Sequence, residues 1–99
     1  MKIKDKKDVL DILGQNKSKF SNYGVERIGL FGSFVRNQQE VDSDVDLLVK
    51  FDPKKKNYRN FMGLADLVEE LLGRRVEIVT DESLSPYIGP YIKKEVEYV

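Results

Sequence analysis

Apolar residues recur along the chain with two periodicities, one typical of helices and the other typical of strands. Helical spacing is clearest over residues 57–72, and Gly73 follows at the position where a helix usually stops. A second amphipathic helix is predicted over residues 5–23. Short apolar or alternating runs predict strands over residues 26–31, 44–51 and 75–80.

The segments between and after these elements are less regular. A short helix is predicted over residues 33–39, between the first two strands. In the tail, the pattern predicts a helix that starts at Ser85-Pro86 and is interrupted at Gly89-Pro90, with a further turn over residues 91–95. The last residues, 96–99, fit either a helix or an extended end.

This succession of helices and strands predicts an α/β fold in which helices cover a small sheet. The chain has 99 residues, which fits a single domain, residues 1–99, with one core. Its 17 basic and 17 acidic residues cancel, which argues against broad electrostatic binding to nucleic acid. No apolar run approaches the ~18 residues of a membrane span, and the charged N-terminus does not resemble a signal peptide, so the expected location is the cytoplasm.

Histidine and cysteine are both absent from the sequence. Their absence removes the usual general base, the commonest transition-metal ligand and all thiolate chemistry. Any catalysis must therefore use carboxylates, hydroxyls, Lys, Arg, Tyr or a bound hard metal ion.

Two carboxylates, Asp44 and Asp46, stand one residue apart on the second predicted strand, so both side chains point to the same face. Adjacent carboxylates repel each other unless a cation lies between them, and Mg²⁺ prefers such oxygen ligands. Glu77 lies on the third strand and would join them if the two strands are neighbours. One or two Mg²⁺ ions are therefore predicted on these three carboxylates. The alternatives are an exposed acidic stripe for the Asp pair and, for Glu77, a plain surface residue or an ion-pair partner of Arg74 or Arg75.

Gly32 and Ser33 form a predicted turn between the first strand and the short helix. Glycine lets a phosphate approach the backbone, a helix N-terminus offers free N–H groups, and the Ser33 hydroxyl adds a donor. Alternatively, Ser33 only caps the short helix. Arg36 is predicted to contact a phosphate or a partner protein, or else to pair with Glu40 four residues later.

The tail carries a group of apolar residues that we interpret as packing on the protein's own sheet. A surface for a partner protein is the alternative, since aromatic residues are enriched at interface centres. The group consists of Tyr87, Ile88, Tyr91 and Ile92.

The combined pattern resembles the minimal nucleotidyltransferase (MNT) antitoxins of prokaryotes, within the nucleotidyltransferase superfamily related to DNA polymerase β. The resemblance covers residues 8–99, and its matching segments are Gly-Ser-Phe-Val-Arg, Ser-Asp-Val-Asp-Leu-Leu-Val and Val-Glu-Ile-Val-Thr. It implies a polymerase β-like fold with a small mixed sheet, a phosphate-binding turn and three metal-binding carboxylates. These roles fall on Gly32 and Ser33 for the phosphates and on Asp44, Asp46 and Glu77 for the metal. Relatives usually have Asp at the position of Glu77.

The resemblance also implies a partner, a HEPN-domain ribonuclease toxin, with which the antitoxin forms a hetero-oligomer. Some members transfer AMP from ATP to a tyrosine of this toxin, by an in-line displacement in which Mg²⁺ activates the hydroxyl and stabilises the leaving pyrophosphate. Others have been viewed as blocking the toxin by binding. We therefore predict a Mg²⁺-dependent adenylyltransferase antitoxin of a type VII-like HEPN/MNT system. The alternatives are an antitoxin that acts by binding alone and a nucleotidyltransferase that acts on a small molecule or RNA.

Overall fold

The computed structural model describes residues 3–99, in which four strands form one mixed sheet. The strands are β1 (Val25–Phe31), β2 (Val45–Phe51), β3 (Val76–Thr80) and β4 (Glu97–Tyr98). Their order across the sheet is β3-β2-β1-β4. β2 pairs antiparallel with β1 and parallel with β3, while β4 pairs antiparallel with β1. The three predicted strands and the mixed sheet are confirmed, and the undecided end of the chain is a fourth strand.

Four α-helices accompany the sheet in the described residues. They are α1 (Lys6–Gln15), α2 (Lys17–Ser21), α3 (Tyr58–Leu72) and α4 (Gly89–Glu95). The predicted helix over residues 57–72 is confirmed as α3: the Asn57 side chain accepts the N–H of Asn60 at 2.8 Å, and Gly73 ends the helix with a left-handed φ of 64°. The helix predicted over residues 5–23 is instead divided into α1 and α2 at Asn16, whose side chain donates to the carbonyl of Ile12 at 2.7 Å.

The core lies where α1 and α3 pack on one face of the sheet. Leu47 and Val49 of β2 and Leu64 of α3 are fully buried there. Because successive strand residues point to opposite faces, Asp46 is directed away from this core. β1 ends beside the same residue, since Phe31 pairs with Asp46.

The short helix predicted over residues 33–39 is wrong. The segment makes one turn, in which the N–H of Arg36 donates to the carbonyl of Gly32 at 3.2 Å. Asn37 then adopts a left-handed φ of 58°, and the N–H of Gln38 donates back to the carbonyl of Ser33 at 2.8 Å. A left-handed residue closes a helical turn in this way, so the helix stops as soon as it starts.

The tail also differs from the prediction. The helix does not start at Ser85-Pro86, where the Ser85 hydroxyl accepts the N–H of Ile88 at 3.1 Å and a turn forms. It starts at Gly89, and Pro90 lies in its first turn. Gly89-Pro90 therefore begins the helix and does not interrupt it, because proline is tolerated where N–H groups have no helical partner. Across the described chain, no helix combines the length and the apolarity needed to cross a bilayer.

Candidate functional site

Asp46 and Glu77 are brought side by side by the pairing of β2 with β3. The two strands run parallel, and Asp46 and Glu77 occupy partner positions in the register. Their side chains therefore lie on the same face, and the two carboxyl groups are within hydrogen-bonding reach. The sequence predicted that Glu77 would approach the Asp pair if its strand lay next to β2, and β3 does lie next to β2.

The carboxyl group of Asp46 is electrostatically unfavourable in its ionised form. Burial, together with the neighbouring carboxylates of Glu77 and Asp44, raises its pKa from 3.8 to about 6, and burial is the largest cause; Arg36 opposes the increase. Two carboxylates that face each other are stabilised either by sharing a proton or by a cation between them. This donor set suits a hard divalent cation such as Mg²⁺, which takes carboxylate oxygens as ligands.

Asp44 stands at the edge of this pair. Its Oδ1 accepts a hydrogen bond from Nε of Arg75 at 3.1 Å. Arg74 donates to the carbonyls of Glu40 and Ser43, so among residues 3–99 neither arginine forms an ion pair with Glu77. Among residues 3–99, no three carboxylates lie close enough together to hold a metal ion as they stand. The structure thus brings together two of the three predicted ligands and leaves the third beside them.

Gly32 lies against Asp46 at the end of β1. Its φ is 81°, a left-handed conformation that favours glycine. A Cβ atom at this position would lie 2.9 Å from Cγ of Asp46, closer than such atoms normally approach. A side chain here would therefore displace the Asp46 carboxylate. Since the short helix is absent, the backbone N–H groups of this turn, and not a helix dipole, form the candidate phosphate site at Gly32 and Ser33.

Arg36 pairs with Glu95 and not with Glu40. Its Nη1 donates to both carboxylate oxygens of Glu95, at 2.9 and 3.1 Å. The N–H of Gly32 donates to the same carboxylate at 2.7 Å. No pattern in the sequence distinguishes Glu95 from the other charged residues of the tail, because its role depends on where α4 folds back.

A cleft of about 360 Å³ connects these groups with the tail. Its lining consists of Phe31, Gly32, Arg36, Asp46, Ile88, Tyr91, Ile92 and Glu95. The interpretation of the tail residues as packed on the protein's own sheet is wrong for three of them, Tyr87, Ile88 and Tyr91, which are 85%, 55% and 73% exposed. The reason is that the end of α4 turns Glu95 toward Gly32 and leaves these side chains to the cleft and to solvent.

Comparisons with known proteins agree with this architecture. Residues 9–99 match the family model of the nucleotidyltransferase domain. The chain is 39% identical over 93 residues to the protein adenylyltransferase MntA of Thermococcus cleftensis, covering 93% of each chain.

Solved structures extend the likeness to the fold. A structure assigned as a minimal nucleotidyltransferase superimposes with a TM-score of 0.82 and 30% identity over 95% of each chain. A chain of a toxin–antitoxin crystal structure with AMP-PNP superimposes with a TM-score of 0.65 over 96% of this chain and 72% of that chain; at 20% identity this is a likeness of fold alone. This protein therefore belongs to the nucleotidyltransferase family of polymerase β-like fold, among the minimal nucleotidyltransferases that include the MntA protein adenylyltransferases.

Proposed function

We propose that this protein is the antitoxin of a type VII-like HEPN/MNT pair and that it transfers AMP from ATP to a tyrosine of its partner toxin. The observation that carries the proposal is the position of Asp46, which lies against Gly32 in one cleft and is the strand partner of Glu77. The relationship to MntA of Thermococcus cleftensis supports protein adenylylation, and the fold shared with a toxin–antitoxin complex supports a toxin as the acceptor. The reaction belongs in the cytoplasm, where ATP is available.

The proposed roles follow from the geometry of the site. Asp46 and Glu77 would hold Mg²⁺. Asp44 would become a further ligand once its hydrogen bond with Arg75 is broken. When bound, the ion supplies charge neutralisation at the phosphates and activation of the attacking hydroxyl. The Gly32–Ser33 turn binds phosphate oxygens through its N–H groups, and Arg36 neutralises their charge.

The chemical step is a displacement at phosphorus. The tyrosine Oη of the acceptor forms a bond to the α-phosphorus of ATP, and the bond from that phosphorus to the bridging oxygen of pyrophosphate breaks. The phenolic proton passes to the carboxylate cluster, because the chain contains no histidine to receive it. The protein otherwise contributes charge and position.

The open cleft suits a protein acceptor. Ile88 and Tyr91 line the same cleft as Asp46 and are largely exposed, so an entering segment of the toxin meets an apolar rim beside the carboxylates. The zero net charge of the chain disfavours RNA as the acceptor.

Mass spectrometry of the partner tests this proposal. The protein is incubated with ATP, Mg²⁺ and the toxin, and the intact toxin is weighed. We expect an AMP adduct with the wild type and none with the Asp44→Asn/Asp46→Asn double variant. Asp66→Asn, a change at an exposed acidic residue of α3, is the matched control and should leave the adduct unchanged. No adduct with the wild type, or an undiminished one with the double variant, contradicts the proposal.

Neutralisation by binding alone is the second candidate function. One observation favours it: Asp44 is engaged by Arg75, so the three carboxylates are not assembled as a metal site within residues 3–99. Expression of the toxin with the Asp44→Asn/Asp46→Asn variant in cells separates the two candidates. Full protection of growth by this variant would favour binding alone, whereas loss of protection would favour catalysis.

A further inference from the structure

The carboxylate of Glu95 lies where the proposed function requires a phosphate. Its Oε2 accepts the N–H of Gly32 at 2.7 Å and a hydrogen bond from Arg36 at 3.1 Å, while its Oε1 accepts a second one from Arg36 at 2.9 Å. One backbone donor and one guanidinium thus converge on a single anionic group. Carboxylates and phosphates are bound by the same donors in the same geometry.

We propose that Glu95 is an internal substitute for a nucleotide phosphate, which fills the anion site of the free protein and must leave when the nucleotide binds. The inference rests on the proposed function, because it takes the Gly32 turn as the phosphate site. It goes beyond that function by assigning a competitor from the protein's own tail.

The position of Glu95 in α4 supports this reading. It is the last residue of the helix, where the unpaired carbonyl groups make a carboxylate unfavourable. Its side chain is only 24% exposed, so part of its hydration is lost as well. The contacts with Gly32 and Arg36 offset both costs.

The chain also holds Glu95 close to the site. β4 begins two residues later, and Glu97 and Tyr98 pair with Leu30 and Gly29 of β1. The end of α4 is therefore anchored to the strand that leads into Gly32. Such a tether gives the internal carboxylate a high effective concentration at the anion site.

A phosphate and Glu95 cannot use the same donors together. The N–H of Gly32 is a single donor, and the Arg36 Nη1 atom is already engaged by both oxygens of Glu95. The apparent affinity for nucleotide is therefore reduced by the fraction of molecules in which Glu95 occupies the site. Removing the carboxylate should increase that affinity.

Calorimetric titration with AMP-PNP and Mg²⁺ measures this competition. We expect Glu95→Ala to lower the Kd by roughly tenfold, the scale of losing one charge-assisted hydrogen bond. Glu97→Ala is the matched control, since Glu97 is a nearby tail carboxylate that pairs with Lys6 and not with the Gly32 turn, and it should leave the Kd unchanged. An unchanged or higher Kd for Glu95→Ala overturns the inference.

Hydrogen exchange of the free protein gives a second readout. The amide of Gly32 should exchange roughly tenfold faster in Glu95→Ala than in the wild type, because its acceptor is lost. Equal protection in the two proteins overturns the inference.

The outcomes separate this inference from the proposed function. Binding of AMP-PNP to the wild type with no change in Glu95→Ala overturns the internal competitor alone. A lower Kd in Glu95→Ala without AMP transfer to the toxin overturns the proposed function alone. Absence of AMP-PNP binding by both proteins overturns both.

Discussion

The two faces of β2 differ sharply over only a few residues. Leu47 and Val49 are fully buried in the apolar core beneath α1 and α3. Asp46, between Val45 and Leu47, points the other way and carries a carboxyl group whose pKa burial and like charge have raised to about 6. One face of the strand belongs to the core beneath α1 and α3, and the other, beside the buried Leu48, holds Asp46 next to the like charge of Glu77.

This contrast shows how a small protein positions a reactive site. The carboxylates cannot move apart, because the strands that carry them are fixed by the core on the opposite face. Substitutions on the two faces should therefore have different consequences: core changes reduce stability, whereas changes of the Asp46 carboxylate reduce function while stability is kept or improved. Four predictions test this contrast.

The largest effect on stability is expected in the core. Leu64→Ala removes a fully buried side chain of α3 and should reduce the free energy of unfolding by about 3 kcal/mol, from lost burial and a residual cavity. Urea denaturation followed by circular dichroism measures the change. Met62→Ala, at a partly exposed position of the same helix, should cost far less. Equal losses in the two variants would show that the core is not centred on Leu64.

A change at the turn should affect both stability and function. Gly32→Ala places a Cβ atom against the Asp46 carboxylate and forces a non-glycine residue into a left-handed conformation. We therefore expect a loss of about 2 kcal/mol in the free energy of unfolding. AMP transfer to the toxin should fall at the same time. Gly14→Ala is the control, because nothing lies within 4 Å of its Cβ position, and in α1 it should stabilise by about 0.5–1 kcal/mol. Full activity of Gly32→Ala would contradict the role of the turn.

The pH dependence of stability should report the unfavourable ionisation of Asp46. Its pKa is raised from 3.8 in the unfolded reference to about 6 in the folded protein, so the folded state holds the proton more tightly. The resulting stabilisation is fully present below pH 3.8, the unfolded pKa, and is lost as the pH rises through about 6. Because solvent screens the partly exposed site, we expect this loss to be about 1 kcal/mol of the free energy of unfolding.

Chemical denaturation with EDTA present, at pH values from 4 to 7.5, measures this loss. Asp46→Asn should remove this component and be the more stable protein at neutral pH, while its AMP transfer is abolished. A stability that rises with pH over this interval and is unaffected by Asp46→Asn would contradict the shift.

The smallest effect on stability is expected at an apolar residue outside the core. Tyr91 is 73% exposed, so Tyr91→Ala should change the free energy of unfolding by no more than about 0.5 kcal/mol. The same denaturation experiment as for Leu64→Ala checks this. A loss as large as that of Leu64→Ala would mean that the tail packs on its own sheet after all.

Much of the fold follows from local patterns that the sequence displays directly. The helical spacing, the Asn57 cap and the Gly73 stop of α3 lie within one stretch of chain, so local physics is sufficient to predict them. The same holds for β2, since alternation places Asp46 opposite Leu47 whatever its neighbours are. The prediction of a short helix over residues 33–39 was wrong because the left-handed conformation of Asn37 outweighs a weak helical tendency.

The candidate site divides in the same way. Which residue types carry the chemistry follows from the sequence: a chain without His or Cys, a Gly-Ser turn and two spaced aspartates already indicate a metal and a phosphate. Which of them meet was decided by tertiary structure. The parallel pairing of β2 with β3 selected Glu77 for Asp46, and the return of the tail brought Glu95 to Gly32 and Arg36. The physical reason is that strand order and helix docking depend on packing between distant segments, which spacing along the chain does not encode.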